Sequence, residues 1–449
     1  MVKERQYLDF KLELRDLDEA NDSFKVTVIH APEVGEAGPV SVPYGFSDLK
    51  INLKRVEGKK ISDLKNLIDL GEKLADRLLP IGPIRSRFEE AIKKAGQDGG
   101  VRLRLLIRDP KLSQLPWEYS YLQFNSGEKD RRHFLVLNPQ ISMVRYESLS
   151  QAQPSLAKER ENPEELQLVA VTANVESDKY AELDLEREQK VITDALSDFK
   201  VEGVTLKWKP FIENATINDL NKALLSGADL FHFAGHGGFQ EKDVDLVSGE
   251  VIGAGCLVLI EDKETKAPQF LDASELGKAL KAAGVRVAML GACDTGRRDG
   301  ISAWTGVAPA LIEAGIPAVV AMQYEVVDEH ALAFSQMFYS SLALGLTIDQ
   351  AVAAGRLAML GKSDEKGLEW GVPVLYMQSS DGVIFPKLTE QKSETPTATQ
   401  LRAILQQTIK TVRAGGKVVG IFAKQANGTL YVTQIIEDID GGTVIGIEM

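Results

Sequence analysis

The sequence predicts an α/β fold: a mostly parallel sheet covered by helices, preceded by an N-terminal α+β unit and followed by a small C-terminal α+β module. Three observations carry this reading. From Leu166 onward, short apolar runs alternate with stretches of helical spacing, the pattern of strands buried on both faces. Two of those runs stop at glycine-framed reactive side chains, in Phe231-His232-Phe233-Ala234-Gly235-His236-Gly237-Gly238 and in Met289-Leu290-Gly291-Ala292-Cys293-Asp294-Thr295-Gly296. Polar, proline-containing stretches at Ser148–Glu165 and Thr389–Gln400 then read as linkers on either side.

Taken in order, residues 1–155 form the first unit. Alternating strands are expected at Tyr7–Arg15 and Ser23–Ile29, a helical stretch at Ile61–Ala95, and strands at Val101–Ile107 and Phe134–Asn138. The loop Ser113-Gln114-Leu115-Pro116-Trp117-Glu118-Tyr119 lies between the last two, with Trp117 as a core anchor.

Residues 163–388 form the central unit. Its strands are expected at Leu166–Val171, Val204–Phe211, Ala228–Ala234, Leu257–Ile260, Val285–Leu290, Ile316–Met322 and Val372–Met377. Its helices are expected at Leu183–Phe199, Thr216–Leu225, Ala273–Ala283, Thr305–Ala314, Glu329–Leu342 and Ile348–Leu360. Residues 400–449 read as one helix, Leu401–Arg413, and hairpin-like strands turning at Asn427-Gly428. In parallel sheets, sites form beyond the carboxyl ends of the strands, at a topological switch point. Both His236 and Cys293 fall there.

The bulk numbers narrow the function. The chain has 449 residues and a net charge of −13, which argues against nucleic-acid binding, since backbone contacts need clustered Lys and Arg. The start, Met1-Val2-Lys3-Glu4-Arg5-Gln6-Tyr7, lacks the apolar segment of a secretory signal. The longest weakly charged stretch, Gly306–Tyr324, contains Pro309, Glu313 and Pro317 and reads as buried helix, turn and strand, not as a membrane span. Only two cysteines, Cys256 and Cys293, leave no disulfide framework, so a reducing cytoplasm is expected, where a free thiol stays reactive. No metal or other cofactor is expected. The two cysteines and five histidines never fall at ligand spacing, and Gly235-His236-Gly237-Gly238 lacks the lysine and helix start of a phosphate loop.

A thiol and an imidazole at one sheet edge are the minimum equipment for a cysteine nucleophile. Cys293 must become thiolate to attack a carbonyl, and His236, with an ordinary pKa near about 6.5, can protonate a leaving amine at neutral pH. The backbone N–H groups of Gly237 and Cys293 are the candidate oxyanion donors, and the flanking glycines leave room for a peptide beside the ring. The competing reading is a buried cysteine and a strand-end histidine in an ordinary flavodoxin-like sheet. Asp294 is a candidate for tuning Cys293 or for an Asx-type turn. His232 shares a sheet face with His236 and is either a supporting residue or a hydrogen-bonded core histidine. Cys256 reads as core, Asp328 as a helix N-cap, and the charge run Asp184–Lys190 as the wet face of a helix. The loop Gln240–Gly255 and the linker near Thr389 are the exposed candidates for self-cleavage.

The segment Leu166–Pro386 resembles the CHAT family of caspase-like cysteine peptidases, in the clan of caspases, separases and gingipains. The two motifs above carry the resemblance, with Gly315-Ile316-Pro317-Ala318-Val319-Val320 and Trp370-Gly371-Val372-Pro373-Val374-Leu375-Tyr376. Leu115-Pro116-Trp117-Glu118 followed by Phe134-Leu135-Val136-Leu137-Asn138 also resembles the region that often precedes this domain. The resemblance implies a caspase-like fold, a His236–Cys293 dyad and endopeptidase activity on a protein substrate. It also implies a prokaryotic effector in antiviral defence or cell death, gated by an activating or adaptor partner that the C-terminal module could recruit. A catalytically silent caspase-like scaffold is the alternative; its usual mark, loss of the His or Cys, is absent here. Metacaspase-like enzymes place an acid two residues before the nucleophile to hold a basic P1 side chain, and this chain has Gly291 there. Gln323-Tyr324-Glu325 is then the candidate substrate-binding segment, with Glu325 either favouring a basic P1 or standing as a solvated strand-end residue.

Overall fold

In the computed structural model, the described residues are 5–45, 49, 56, 64–124, 128–146, 165–180, 182–197, 205–208, 211–244, 251–291, 303–324, 326, 328–362, 367–379, 382, 418–426, 429–437 and 445–446. The first half contains β1 (Tyr7–Asp18), β2 (Ser23–His30), β3 (Ala37–Pro43), α1 (Leu64–Leu78), α2 (Pro83–Ala95), β4 (Gly100–Ile107), α3 (Pro110–Ser113) and β5 (Ile141–Tyr146). The alternation follows as β6 (Glu165–Thr172), α4 (Leu185–Ser197), β7 (Thr205–Trp208), α5 (Ile217–Leu224) and β8 (Leu230–Ala234). A meander, β9 (His236–Val244), β10 (Val251–Ile260) and β11 (Pro268–Asp272), leads into α6 (Ala273–Ala283) and β12 (Val287–Gly291). Then come α7 (Ala303–Ala314), β13 (Ala318–Met322), α8 (Asp328–Ala343), α9 (Ile348–Lys362) and β14 (Pro373–Met377), and a C-terminal group of β15 (Val418–Ala426), β16 (Thr429–Glu437) and β17 (Ile445–Gly446).

The predicted mostly parallel, helix-covered sheet is present, and it is larger than the central unit alone. Eleven strands lie in the order β3-β2-β1-β4-β5-β14-β13-β12-β8-β6-β7. All neighbours are parallel except β3–β2, β2–β1 and β14–β13. The N-terminal strands join the central ones where Arg145 of β5 pairs with Tyr376 of β14. The central strands β8, β12, β13 and β14 are buried at every position, which is why they read as unbroken apolar runs. Alternate residues supply two cores. Leu230, Met289 and Val320 face α4, α8 and α9 on one side, while Phe231, Leu290 and Val319 face α5, α6 and α7 on the other.

Several expectations need correction. Phe134–Asn138 is not a strand: Leu135–Leu137 forms a 3-10 turn, and the strand follows at Ile141–Tyr146. A run of consecutive apolar residues carries no period that separates a buried strand from a buried turn. The helical stretch to Ala95 is two helices, broken where Gly82 adopts φ 122 and Pro83 opens α2. Gln240–Gly255 is not simply a loop, since β9 runs to Val244 and β10 starts at Val251. The predicted linkers, the helix Leu401–Arg413 and the turn Asn427-Gly428 lie outside the described residues, although β15 and β16 pair as an antiparallel hairpin.

A polar seam fastens the first half to the second. Arg145 and Glu118 form a buried bidentate pair, Nε to Oε1 at 3.1 Å and Nη2 to Oε2 at 2.7 Å. Burial works against the Arg145 charge, and the Glu118 carboxylate outweighs it, so the guanidinium is held protonated. Gln323, one residue past β13, donates through Nε2 to Glu118 at 3.1 Å and to the Gly371 carbonyl at 2.9 Å. Tyr119 donates to the Leu368 carbonyl at 2.7 Å, and its ring packs edge-on against Trp370 at 5.2 Å. A second buried pair, Arg102 with Asp349, ties β4 to α9 at 2.9 Å. Removing one partner of such a pair strands the other charge in the interior. Glu118→Ala should therefore lower unfolding stability by about 3–5 kcal/mol in urea denaturation; a loss under about 1 kcal/mol would mean that the seam is solvated.

Candidate active site

The site is built at the carboxyl ends of β6, β8, β12 and β13. Strands β8 and β12 are parallel neighbours, with Met289 opposite His232 and Gly291 opposite Ala234. The Gly235 N–H donates to the Gly291 carbonyl at 3.4 Å and closes that ladder. The chain then leaves the main sheet. His236 opens β9 and pairs with Val258 of β10, so the imidazole stands at the junction of two sheets. A Cβ at Gly235 would lie 2.5 Å from Phe233 Cζ and 3.1 Å from the Ala173 carbonyl oxygen. This glycine therefore leaves room for a protein ring and a carbonyl at its Cβ position. Gly237 faces Leu257 across the β9–β10 ladder, and a Cβ at Gly238 would meet Cys256 Sγ at 3.0 Å.

His236 is fully buried, and the Tyr180 ring lies 4.8 Å from it at 35°. The loop that carries Tyr180 is closed by Asn174, whose Nδ2 donates to the Leu183 carbonyl at 3.1 Å and whose Oδ1 accepts from Leu183 N–H at 3.2 Å. Cys293, Asp294 and Glu325 lie outside the described residues. Among the described residues, no group of three metal-ligating side chains occurs.

A pocket opens between these strand ends. Leu183, Asp184 and Glu188 line one side, Gly235 and Gly291 another, and Met322, Val326 and Leu332 the rest. His232 lies behind it, fully buried and hydrogen-bonded through Nδ1 to the Tyr339 hydroxyl at 2.9 Å. Its Nε2 lies 3.3 Å from Glu188 Oε1 but is not aligned for a hydrogen bond. Burial, and secondarily the Glu188 charge, hold the Tyr339 phenol well above its usual pKa. It therefore stays protonated and is able to donate to His232 Nδ1. His232 is thus a hydrogen-bonded core histidine on the sheet face that also carries Gly291.

The substrate-binding segment expected from sequence divides. Gln323 points into the seam and Tyr324 packs against the core, whereas their neighbours Met322 and Val326 line the pocket. Glu188 was missed because it lies in a charge run that reads as solvated. The helical spacing held the signal: Glu188 stands four residues before Ile192 and seven before Ala195, both buried on the inner face of α4.

Residues 69–403 match the CHAT domain family. The chain belongs to the CHAT family. No curated protein matches this CHAT chain in sequence. Solved structures similar to it include the Arg-specific cysteine proteinase gingipain R of Porphyromonas gingivalis, at 15% identity and a TM-score of 0.39, covering 75% of this chain and 76% of that one. The Saccharomyces cerevisiae separase–securin complex matches at 13% identity and a TM-score of 0.43, covering 83% of this chain and 30% of that one. The Drosophila initiator caspase Dronc matches at 10% identity and a TM-score of 0.31, covering 53% of this chain and 89% of that one. This chain spans under a third of the separase chain's length, and likenesses at this level assign no chemistry to the CHAT site described above.

The buried phenol gives this CHAT site a pH signature. Tyr339 would ionise near about pH 10 in the unfolded chain and well above that when folded. A raised folded pKa contributes stability that is complete below about pH 10 and is lost above it. Above pH 10, unfolding stability should fall more steeply in wild type than in Tyr339→Phe, by up to about 1.4 kcal/mol per pH unit. Urea denaturation at pH 9 and pH 11 measures this, and equal slopes would mean that the phenol is solvated.

Proposed function

We propose that this CHAT chain is a cysteine endopeptidase in which Cys293 is the nucleophile and His236 its acid–base partner. The observation that supports this most directly is the register of β8 against β12. Ala234 and Gly291 stand opposite each other, and His236 and Cys293 each follow by two residues. Two residues of chain reach at most about 7 Å, a span that supports pairing Cys293 with His236 at these strand ends.

In the proposed reaction the Cys293 thiolate attacks the scissile carbonyl and His236 protonates the leaving amine. A tetrahedral oxyanion is received by backbone N–H groups, with Gly237 and Cys293 the candidates. Water then hydrolyses the acyl-enzyme and restores the thiol.

Complete burial of His236 under Tyr180 further supports a gated enzyme, since a peptide must displace cover to reach the ring. A gated endopeptidase suits a protein substrate, an activating or adaptor partner, and a regulated effector role in prokaryotic defence or cell death. Cleavage of a proteome-derived peptide library tests the proposal. Cuts made by wild type and lost in both Cys293→Ala and His236→Ala are expected, with rates down by at least about 10³-fold. Cuts that survive Cys293→Ala would overturn it.

A further inference from the structure

The pocket beside the proposed dyad holds a carboxylate that has no lysine or arginine partner among the described residues. The Glu188 side chain is only 13% exposed, and no Lys or Arg among the described residues pairs with it. Among the described residues, His232 Nε2 lies 3.3 Å from it, fully buried and without a hydrogen bond. The pocket floor is therefore an incomplete polar network among the described residues. A mostly buried, uncompensated negative charge is costly and is retained where a cation completes it.

The position of this charge is specific. A Cβ at Gly291 would lie 3.2 Å from Glu188 Oε1, so the helix α4 carboxylate sits directly against the end of β12. Gly235, one residue before His236, lines the same pocket. Met322, Val326 and Leu183 supply apolar wall for an aliphatic stem, and Asp184 adds a second carboxylate at the exposed rim.

We infer that this pocket is the S1 subsite and that it takes a basic P1 side chain, with Glu188 pairing its cationic head. Arginine suits it best, because a guanidinium can meet the carboxylate through two parallel hydrogen bonds. The acid that Gly291 lacks is thus supplied from the helix that follows β6. The inference rests on the endopeptidase reading above and adds the substrate class to it.

Peptides differing only at P1, with Arg, Lys, Leu or Asp, are assayed on wild type, Glu188→Gln and Cys293→Ala. Wild type should prefer Arg and Lys, and the Arg-over-Leu ratio of kcat/KM should fall about 30-fold in Glu188→Gln. Cys293-dependent cleavage after uncharged or acidic residues, or an unchanged ratio in Glu188→Gln, would overturn the inference while leaving the peptidase reading intact. Absence of any Cys293-dependent cleavage would count against the peptidase reading instead. Calorimetric titration of the Arg and Leu peptides into Cys293→Ala then decides the subsite: tighter binding of Arg, lost when Glu188→Gln is added, supports it, and equal binding overturns it.

Discussion

The active-site account depends on one constraint, the register in which β8 lies against β12. Parallel strands present alternate residues to opposite faces, so a slip of one residue would send every side chain to the other side of the sheet. The observed register sets Ala234 against Gly291 and is enforced by packing on both faces. Phe231 and Phe233 fill one core with Ala288 and Leu290, while Leu230 fills the other with Val287 and Met289. A strand buried on both faces has no wet side to slip toward. The level at which the chain leaves the sheet for His236 is therefore fixed by hydrophobic packing rather than by any interaction of the imidazole.

The N-terminal strands contribute to the same edge. Three arginines on them reach across into the second half: Arg102 to Asp349, Arg104 to the Ser379 carbonyl, and Arg145, paired with Glu118 of its own half, to Gln323. These contacts are buried and charge-assisted, so they are directional where the apolar core is not. Through Gln323 they fix the chain just past β13, between two residues of the pocket wall, Met322 and Val326. The Leu115–Glu118 and Trp370-Gly371 motifs, far apart in sequence, meet in this seam. Their shared features are those of a joint between halves of one sheet.

Much of this was legible in the sequence. Continuous apolar runs gave the parallel strands, and the run that ends at Gly235-His236 stops where the chain leaves the main sheet. The misses have physical causes. The strands β9 and β10 were hidden because their glycines and charged residues do not alternate cleanly with apolar ones. Phe134–Asn138 is apolar throughout, and burial on all sides erases the period that separates strand from turn. Glu188 was taken as solvated because charge usually is, although its spacing to Ile192 and Ala195 places it on the inner face. Gly235 reads from sequence as room for a peptide beside the His236 ring, and the groups that crowd its Cβ position are Phe233 and Ala173.

The most direct test of the central claim is the distance between Cys293 Sγ and the His236 imidazole in a crystal structure of this chain. The β8–β12 register predicts both side chains on one face of the sheet edge, within about 3–6 Å, the reach of a hydrogen bond or a single bridging water. Separation beyond about 10 Å, or a thiol turned to the opposite face with Phe233 and Leu290, would contradict the register and with it the dyad.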